Sequence, residues 1–320
     1  MGEKTMDNQR ELVPEFVQQK ARSLGDEGEK WLHDLKDTLQ DLQQKWDIQI
    51  EKTLEGGSEA FVTTVVTQDG DNAILKVMMP QMEGNSVIEQ EVEALRIVNG
   101  DGYVRLLNED MRQRAILLER LGPPLSQLEY STQEEIEILC STLRHSWKPI
   151  KQPHHLQSMH GLIEWFKNFI PKLWNDLGKP CSKTVIDHSI TFLESRLTNT
   201  DFSKAVLVHG DAHSGNALQD TTEPQPSFKL IDPDGLIAEP SYDLGILMRE
   251  WLDDLMEAPL EIGKKRCSML GKLTGVDTKG IWEWGYIQSV STGLFLIKSG
   301  REAFGYNMLK VAKAWRESNS

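Results

Sequence analysis

The sequence predicts an α+β fold of two lobes: a small N-terminal lobe built on a five-stranded antiparallel sheet with one inserted helix, followed by a larger, mostly α-helical C-terminal lobe. Three observations carry this. The hydrophobic period changes from helical to alternating near residue 50, and it turns mostly helical again beyond Pro123-Pro124. The chain's 320 residues also exceed the usual size of a single hydrophobic core. The expected lobes are residues 1–122 and 123–320.

Each element follows from local pattern. Residues 28–48 place Trp31, Leu32, Leu35, Leu39, Leu42 and Trp46 at helical spacing with charges between them, an amphipathic helix. Residues 50–79 hold β-branched runs broken by Gln68-Asp69-Gly70-Asp71, which reads as strand, loop, strand, turn, strand. In residues 86–100, Val87, Ile88, Val92, Leu95 and Val98 share a helix face that stops at Gly100. Residues 103–110 and 113–121 complete the sheet, the latter as a continuous apolar run. In the second lobe, helical periods at 131–147, 159–178 and 183–197 precede two short strand-like runs, AVLVHGD and FKLIDPD, joined by the loop-rich 212–227. Helices resume from Tyr242 to Arg316.

Composition narrows the function classes. Hydrophobic residues make up 39% and charged residues 26%, a globular profile. A formal charge of −14 without a basic stripe argues against nucleic acid as a partner; it suits a cationic small molecule, or serves solubility alone. Cys140, Cys181 and Cys267 lie far apart with no CxxC pair, so reduced thiols are expected rather than disulfides or a thiolate metal site. The polar N-terminus, Met6 where a myristoylation pattern wants Ser or Thr, and the absence of an 18-residue apolar run predict no membrane partner and a cytoplasmic location. His154, His155 and His160 read as surface histidines, and Trp31, Trp46, Trp165, Trp174 and Trp251 as core. Oligomeric state is not written in the pattern.

The chemistry concentrates in HGDAHSGN at 209–216, where an aspartate precedes an asparagine by five positions in a loop after an apolar strand. Protein kinases use that spacing, the Asp accepting the substrate hydroxyl proton and the Asn binding magnesium. Asp211 takes the base role and Asn216 that of a metal ligand. Phosphoryl transfer needs such a pair, because its catalysis is mainly positioning and charge neutralisation. A second oxygen ligand is Asp232 of KLIDPDG, at the end of the next strand. Upstream, AILKV supplies Lys76 for the α/β-phosphates of ATP, with Glu91 preferred over Glu89 and Glu93 as its helix partner. Taken singly, Lys76 reads as an edge-strand charge and Glu91 as a solvated helix residue; in this order they read as a kinase pair. The backbone of Glu119 to Leu121 is placed to hydrogen-bond adenine. GGSEAF, with Gly57 and Ser58, covers the phosphates with backbone N–H groups, though it lacks a full G-x-G-x-x-G.

Together GEKWL, LEGGSEAFV, LKV, EVEAL, LLERL, HGDAHSGN and IDPDGLIAEPSYDLG resemble the aminoglycoside phosphotransferase family nearly end to end, and within it the streptomycin 6-phosphotransferase and hydroxyurea-resistance kinase group. The resemblance implies a bilobal protein-kinase-like fold, ATP and Mg²⁺ as cofactors, Asp211 as base, Asn216 and Asp232 as metal ligands and Lys76 on the phosphates. It implies further that Asp243 braces the catalytic loop, with His209 and Arg249 as structural supports. His213 reads as a loop-orienting residue. The lack of an Ala-Pro-Glu segment or a long insert between Asp232 and Asp243 points to a small hydroxyl acceptor rather than a protein. Asp234, Glu239, Glu250, Asp253 and Asp254 are candidates for an acidic rim toward amino or guanidino groups. Asp234 stands where the streptomycin kinases commonly carry lysine. The expected reaction is phosphorylation of a streptomycin-like antibiotic; the alternatives are a kinase of an amino sugar or amino alcohol, or an ATP-binding regulatory module.

Overall fold

The computed structural model describes residues 13–54, 59–80, 88–150 and 155–317. The chain divides into two units, Met1–Gly122 and Pro123–Ser320.

In the first unit a short helix α1 (Glu15–Arg22) leads into the 21-residue α2 (Asp26–Trp46). Helix α2 starts with Asp26, Glu27 and Glu29 and ends with Lys45, charges that match its dipole. Its apolar stripe, Leu35, Leu39 and Leu42, packs in one core with Phe61, Val65, Leu75, Val77 and Leu117 of the sheet. That sheet comprises β1 (Ile48–Thr53), β2 (Ala60–Thr67), β3 (Asn72–Met78), β4 (Leu106–Asp110) and β5 (Ala115–Glu119), in the order β1-β2-β3-β5-β4 with every pair antiparallel. Helix α3 (Ile88–Val98) is inserted between β3 and β4. Lys76 sits on the central strand, opposite Val62 and Ile116, so its reading as an edge charge does not hold.

The second unit is mostly helical. A capping box formed by Ser131 and Glu134 opens α4 (Thr132–Ser146). After it come β6 (Gln157–Ser158), α5 (Met159–Asp176), α6 (Lys183–Asn199) and β7 (Val206–Val208). Two further strands, β8 (Ala217–Asp220) and β9 (Ser227–Leu230), make an antiparallel hairpin, and β10 (Leu236–Ala238) pairs with β7 and β6. The stretch read from sequence as loop thus holds a strand, β8, because hairpin pairing with β9 supplies what its own residues lack in β propensity. Helices α7 (Ser241–Arg249), α8 (Leu252–Glu257), α9 (Pro259–Thr274), α10 (Thr278–Lys298) and α11 (Glu302–Glu317) follow. Helix α10 is the central one, with Ile281, Trp284, Ile287, Val290 and Leu294 all fully buried.

Helices α7 and α10 approach closely through paired glycines. A Cβ on Gly245 would lie 2.5 Å from that of Trp284, and one on Gly285 would lie 2.6 Å from that of Met248. This contact fixes α7, the helix that carries Asp243. One expected core residue falls outside the core: Trp165 is 38% exposed and stacks on Phe169 at 4.4 Å, since its face of α5 looks outward.

Candidate active site

Strand β7 delivers the chain into the loop 209–216. Its first residues are held by Asp243, whose buried carboxylate accepts from the backbone N–H of His209 (3.0 Å) and Gly210 (2.9 Å) and from Trp147 Nε1 (2.9 Å). Burial pushes the Asp243 carboxyl up, whereas three N–H donors pull the other way. Gly210 turns at φ 96°, and a Cβ there would lie 2.5 Å from that of Asp234, so the turn admits glycine alone.

His209 is fully buried with both ring nitrogens committed. The Asp211 N–H donates to Nδ1 at 3.1 Å, so Nδ1 accepts; Nε2 therefore carries the proton and donates to Ile231 O at 2.7 Å. Burial lowers its pKa from the usual histidine value. The neutral ring ties the loop to the strand end that precedes Asp232.

The hairpin completes the arrangement. Ala217 pairs with Leu230, and one step further the Ile231 N–H donates to Asn216 O at 2.9 Å, so Asn216 and Asp232 stand at the same end of the hairpin. Asn216 Nδ2 donates to Asp211 O at 3.0 Å, which identifies Nδ2 as the donor and Oδ1 as the side chain's acceptor. Asp232 adopts a left-handed backbone at φ 57°, which aspartate tolerates better than most residues. An amide oxygen and a carboxylate are hard donors that fit Mg²⁺, which keeps several waters and takes only one or two protein ligands. Among the described residues no group of three His, Cys, Asp or Glu side chains forms an all-protein metal cage.

Asp211 lies between two cationic or donor groups. Arg249 Nη2 sits 3.2 Å from Oδ1, and His213 Nε2 faces Oδ2 at 3.6 Å. Burial pushes the Asp211 carboxyl up, but the facing His213 and the Arg249 guanidinium outweigh it and hold the group well below the usual carboxylate range. For His213 burial acts downward, and the Asp211 carboxylate reverses it to a net upward shift. Arg249 also pairs with Glu250 at 3.1 Å.

The C-terminal end of α7 is clamped from elsewhere in the unit. Buried Arg266 donates to the carbonyls of Met248 and Glu250, stacks over Trp251 at 5.2 Å, and has its pKa lowered to about 10 by burial. Trp251, at φ 50°, donates to Glu135 Oε2 at 2.8 Å, and Asp254 accepts from Thr132. Trp147 and Arg266 were not singled out from sequence, because each acts on a partner many residues away and no local motif marks it. Glu239 leaves the acidic rim: it accepts from Trp284 Nε1 at 2.7 Å and pairs with buried Arg196 at 3.4 Å, a structural role. Cavities of about 580 and 420 Å³ on this unit include no residue of 209–216 or 231–235.

In the first unit, Lys76 Nζ contacts Glu91 at 2.9 and 3.1 Å to its two oxygens, both side chains being buried. Glu119 ends β5, its N–H donating to Arg105 O at 3.0 Å, and Leu121 follows it, half-buried. Gly57 and Ser58 lie outside the described residues.

Comparison with known proteins relates the sequence and the fold to a family. The sequence profile of the aminoglycoside/hydroxyurea antibiotic resistance kinases matches residues 45–300. A streptomycin 6-kinase of Streptomyces glaucescens is 24% identical over 298 residues, covering 92% of this chain and 94% of that protein. A hydroxyurea phosphotransferase of Kitasatospora aureofaciens is 26% identical over 309 residues, covering 95% and 85%. Among solved structures, choline kinase LicA from Streptococcus pneumoniae superposes with a TM-score of 0.61 at 15% identity, over 89% of this chain and 99% of that one. Ethanolamine kinase from Plasmodium vivax gives a TM-score of 0.60 at 15% identity, over 83% and 82%. These two likenesses show the kinase-like fold, and the profile match shows that the chain belongs to the aminoglycoside/hydroxyurea antibiotic resistance kinase family, whose members are phosphotransferases.

Proposed function

We propose that this chain transfers the γ-phosphate of ATP, in the presence of Mg²⁺, to a hydroxyl of a small, aminoglycoside-type molecule of the streptomycin kind. The observation that carries the proposal is the Asp211, Asn216 and Asp232 set, held on one loop and one hairpin end by Asp243 and His209. Asp211 receives the hydroxyl proton, and its position, fixed through Arg249, orients the acceptor. Asn216 Oδ1 and the Asp232 carboxylate would hold the magnesium ion, which when bound neutralises charge on the phosphate oxygens. Lys76, held by Glu91, serves the α/β-phosphates; the Glu119–Leu121 backbone serves adenine, and the Gly57-Ser58 segment covers the phosphates. Asp234, Glu250 and Asp253 give an acidic surround that favours a cationic acceptor.

A coupled ADP-release assay with Mg-ATP, run over streptomycin, other aminoglycosides, hydroxyurea, amino sugars and amino alcohols, tests the acceptor. Turnover with streptomycin-like molecules supports the proposal. Turnover confined to amino alcohols or amino sugars replaces it with a metabolic kinase.

A further inference from the structure

His213 is held in one tautomer by its own loop. The Gly215 N–H can only donate, and it lies 3.0 Å from His213 Nδ1, so Nδ1 accepts and Nε2 carries the proton. The ring is tucked against the backbone: a Cβ on Gly215 would come within 2.8 Å of His213 Cε1 and 2.9 Å of Nδ1. Nε2 then lies 3.6 Å from Asp211 Oδ2, too far for a good hydrogen bond. The other carboxylate oxygen, Oδ1, is taken by Arg249 at 3.2 Å. Both facing side chains remain reachable, at 44% exposure for Asp211 and 33% for His213.

We infer that His213 touches the acceptor, its Nε2–H donating to the oxygen of the incoming hydroxyl while Asp211 Oδ2 accepts that hydroxyl's proton. An oxygen standing to one side of the line that joins two atoms 3.6 Å apart can lie about 2.8 Å from each. The inference rests on the kinase reading above. In the transfer, the O–H proton goes to Asp211 Oδ2, an oxygen lone pair forms the new O–P bond, and the electrons of the broken P–O bond leave with the nucleoside diphosphate. One acceptor beside one donor matches an alcohol, which offers both. An ammonium group has no lone pair for His213, and a carboxylate has no proton for Asp211, so the pair selects O-phosphorylation. Arg249 is the positioning residue that leaves Oδ2 as the accepting oxygen.

Two substitutions separate this from a loop-orienting role. His213→Asn keeps an oxygen near Nδ1 for the Gly215 N–H and lacks a donor near Nε2; His213→Gln keeps a donor near Nε2 and loses the Gly215 contact. His213→Asn is expected to lower kcat/KM for the acceptor by about thirtyfold, the loss of one well-placed hydrogen bond in the transfer step, with KM for ATP within about twofold. His213→Gln is expected to be about tenfold better than His213→Asn and still below wild type. The reverse order overturns the inference. Where wild type transfers to no hydroxyl of the panel, slow Mg-ATP hydrolysis with water as acceptor carries the same comparison. A wild-type chain that neither transfers nor hydrolyses overturns the kinase reading itself, and the inference with it. Long-range ¹H–¹⁵N NMR without nucleotide or metal, recorded at a pH high enough to make the His213 ring neutral, gives an independent readout: the Nε2–H tautomer is expected, and a neutral ring with Nδ1–H overturns the assignment.

Discussion

At position 209 a histidine with no exposed surface uses one ring nitrogen as acceptor and the other as donor, a pattern available only to the neutral ring. Its pKa in the folded chain is below the value of about 6.5 that it takes when unfolded, because burial disfavours the charged form. The unfolded chain therefore gains a proton first as pH falls. Stability owed to this group is fully present above about pH 6.5 and is lost as pH falls toward the folded pKa. Urea unfolding between pH 7.5 and 5 should show that decline, and His209→Gln should reduce its slope; equal slopes would contradict the assignment. Partners of this kind were only partly legible in the sequence. The HGD spacing marked Asp211, but nothing local showed that Glu239 would be engaged by Arg196, 43 residues earlier, rather than face an acceptor.

The elements that hold the site are set by close helix contact. Asp243 reaches the loop from α7, which lies against α10 with Gly245 and Gly285 at the crossing. Gly245→Ala places a methyl against Trp284 Cβ and, at 2.8 and 3.0 Å, against the α10 backbone, which cannot rotate away. Overpacking of this sort costs about 1–3 kcal/mol, enough to exceed the gain of about 1 kcal/mol in helix propensity. Thermal or urea unfolding should show the net loss, and kcat should fall with it as Asp243 shifts; a variant as stable and active as wild type would show that the crossing has slack. The strands of the first unit were readable because β-branched runs are separated by a clear turn at 68–71. Strand β8 was not, since Ala-Leu-Gln-Asp has no β-branched residue and is a strand only by virtue of Ser227–Leu230 across the hairpin. The short α1 is weakly marked in the sequence, since it spans eight residues, buries only Val17 and Ala21 and has no side-chain cap.

Across the whole chain the two units carry different parts of one proposed reaction. The first supplies a buried Lys76–Glu91 pair on a central strand and helix, and the second supplies a braced loop with Asp211 and Asn216 and a hairpin end with Asp232. Both sets could be proposed from the sequence because kinase motifs place these residue types at set spacings in short segments. The acceptor was not, because no short motif of fixed spacing marks the residues that would choose it. The most direct measurement is mass spectrometry of streptomycin after single turnover with Mg-ATP, comparing wild type with Asp211→Ala. The account predicts one added phosphate in wild type, a rate lower by about 10²–10⁴-fold in the variant, and retained ATP binding in both. Equal transfer rates in the two proteins would contradict it.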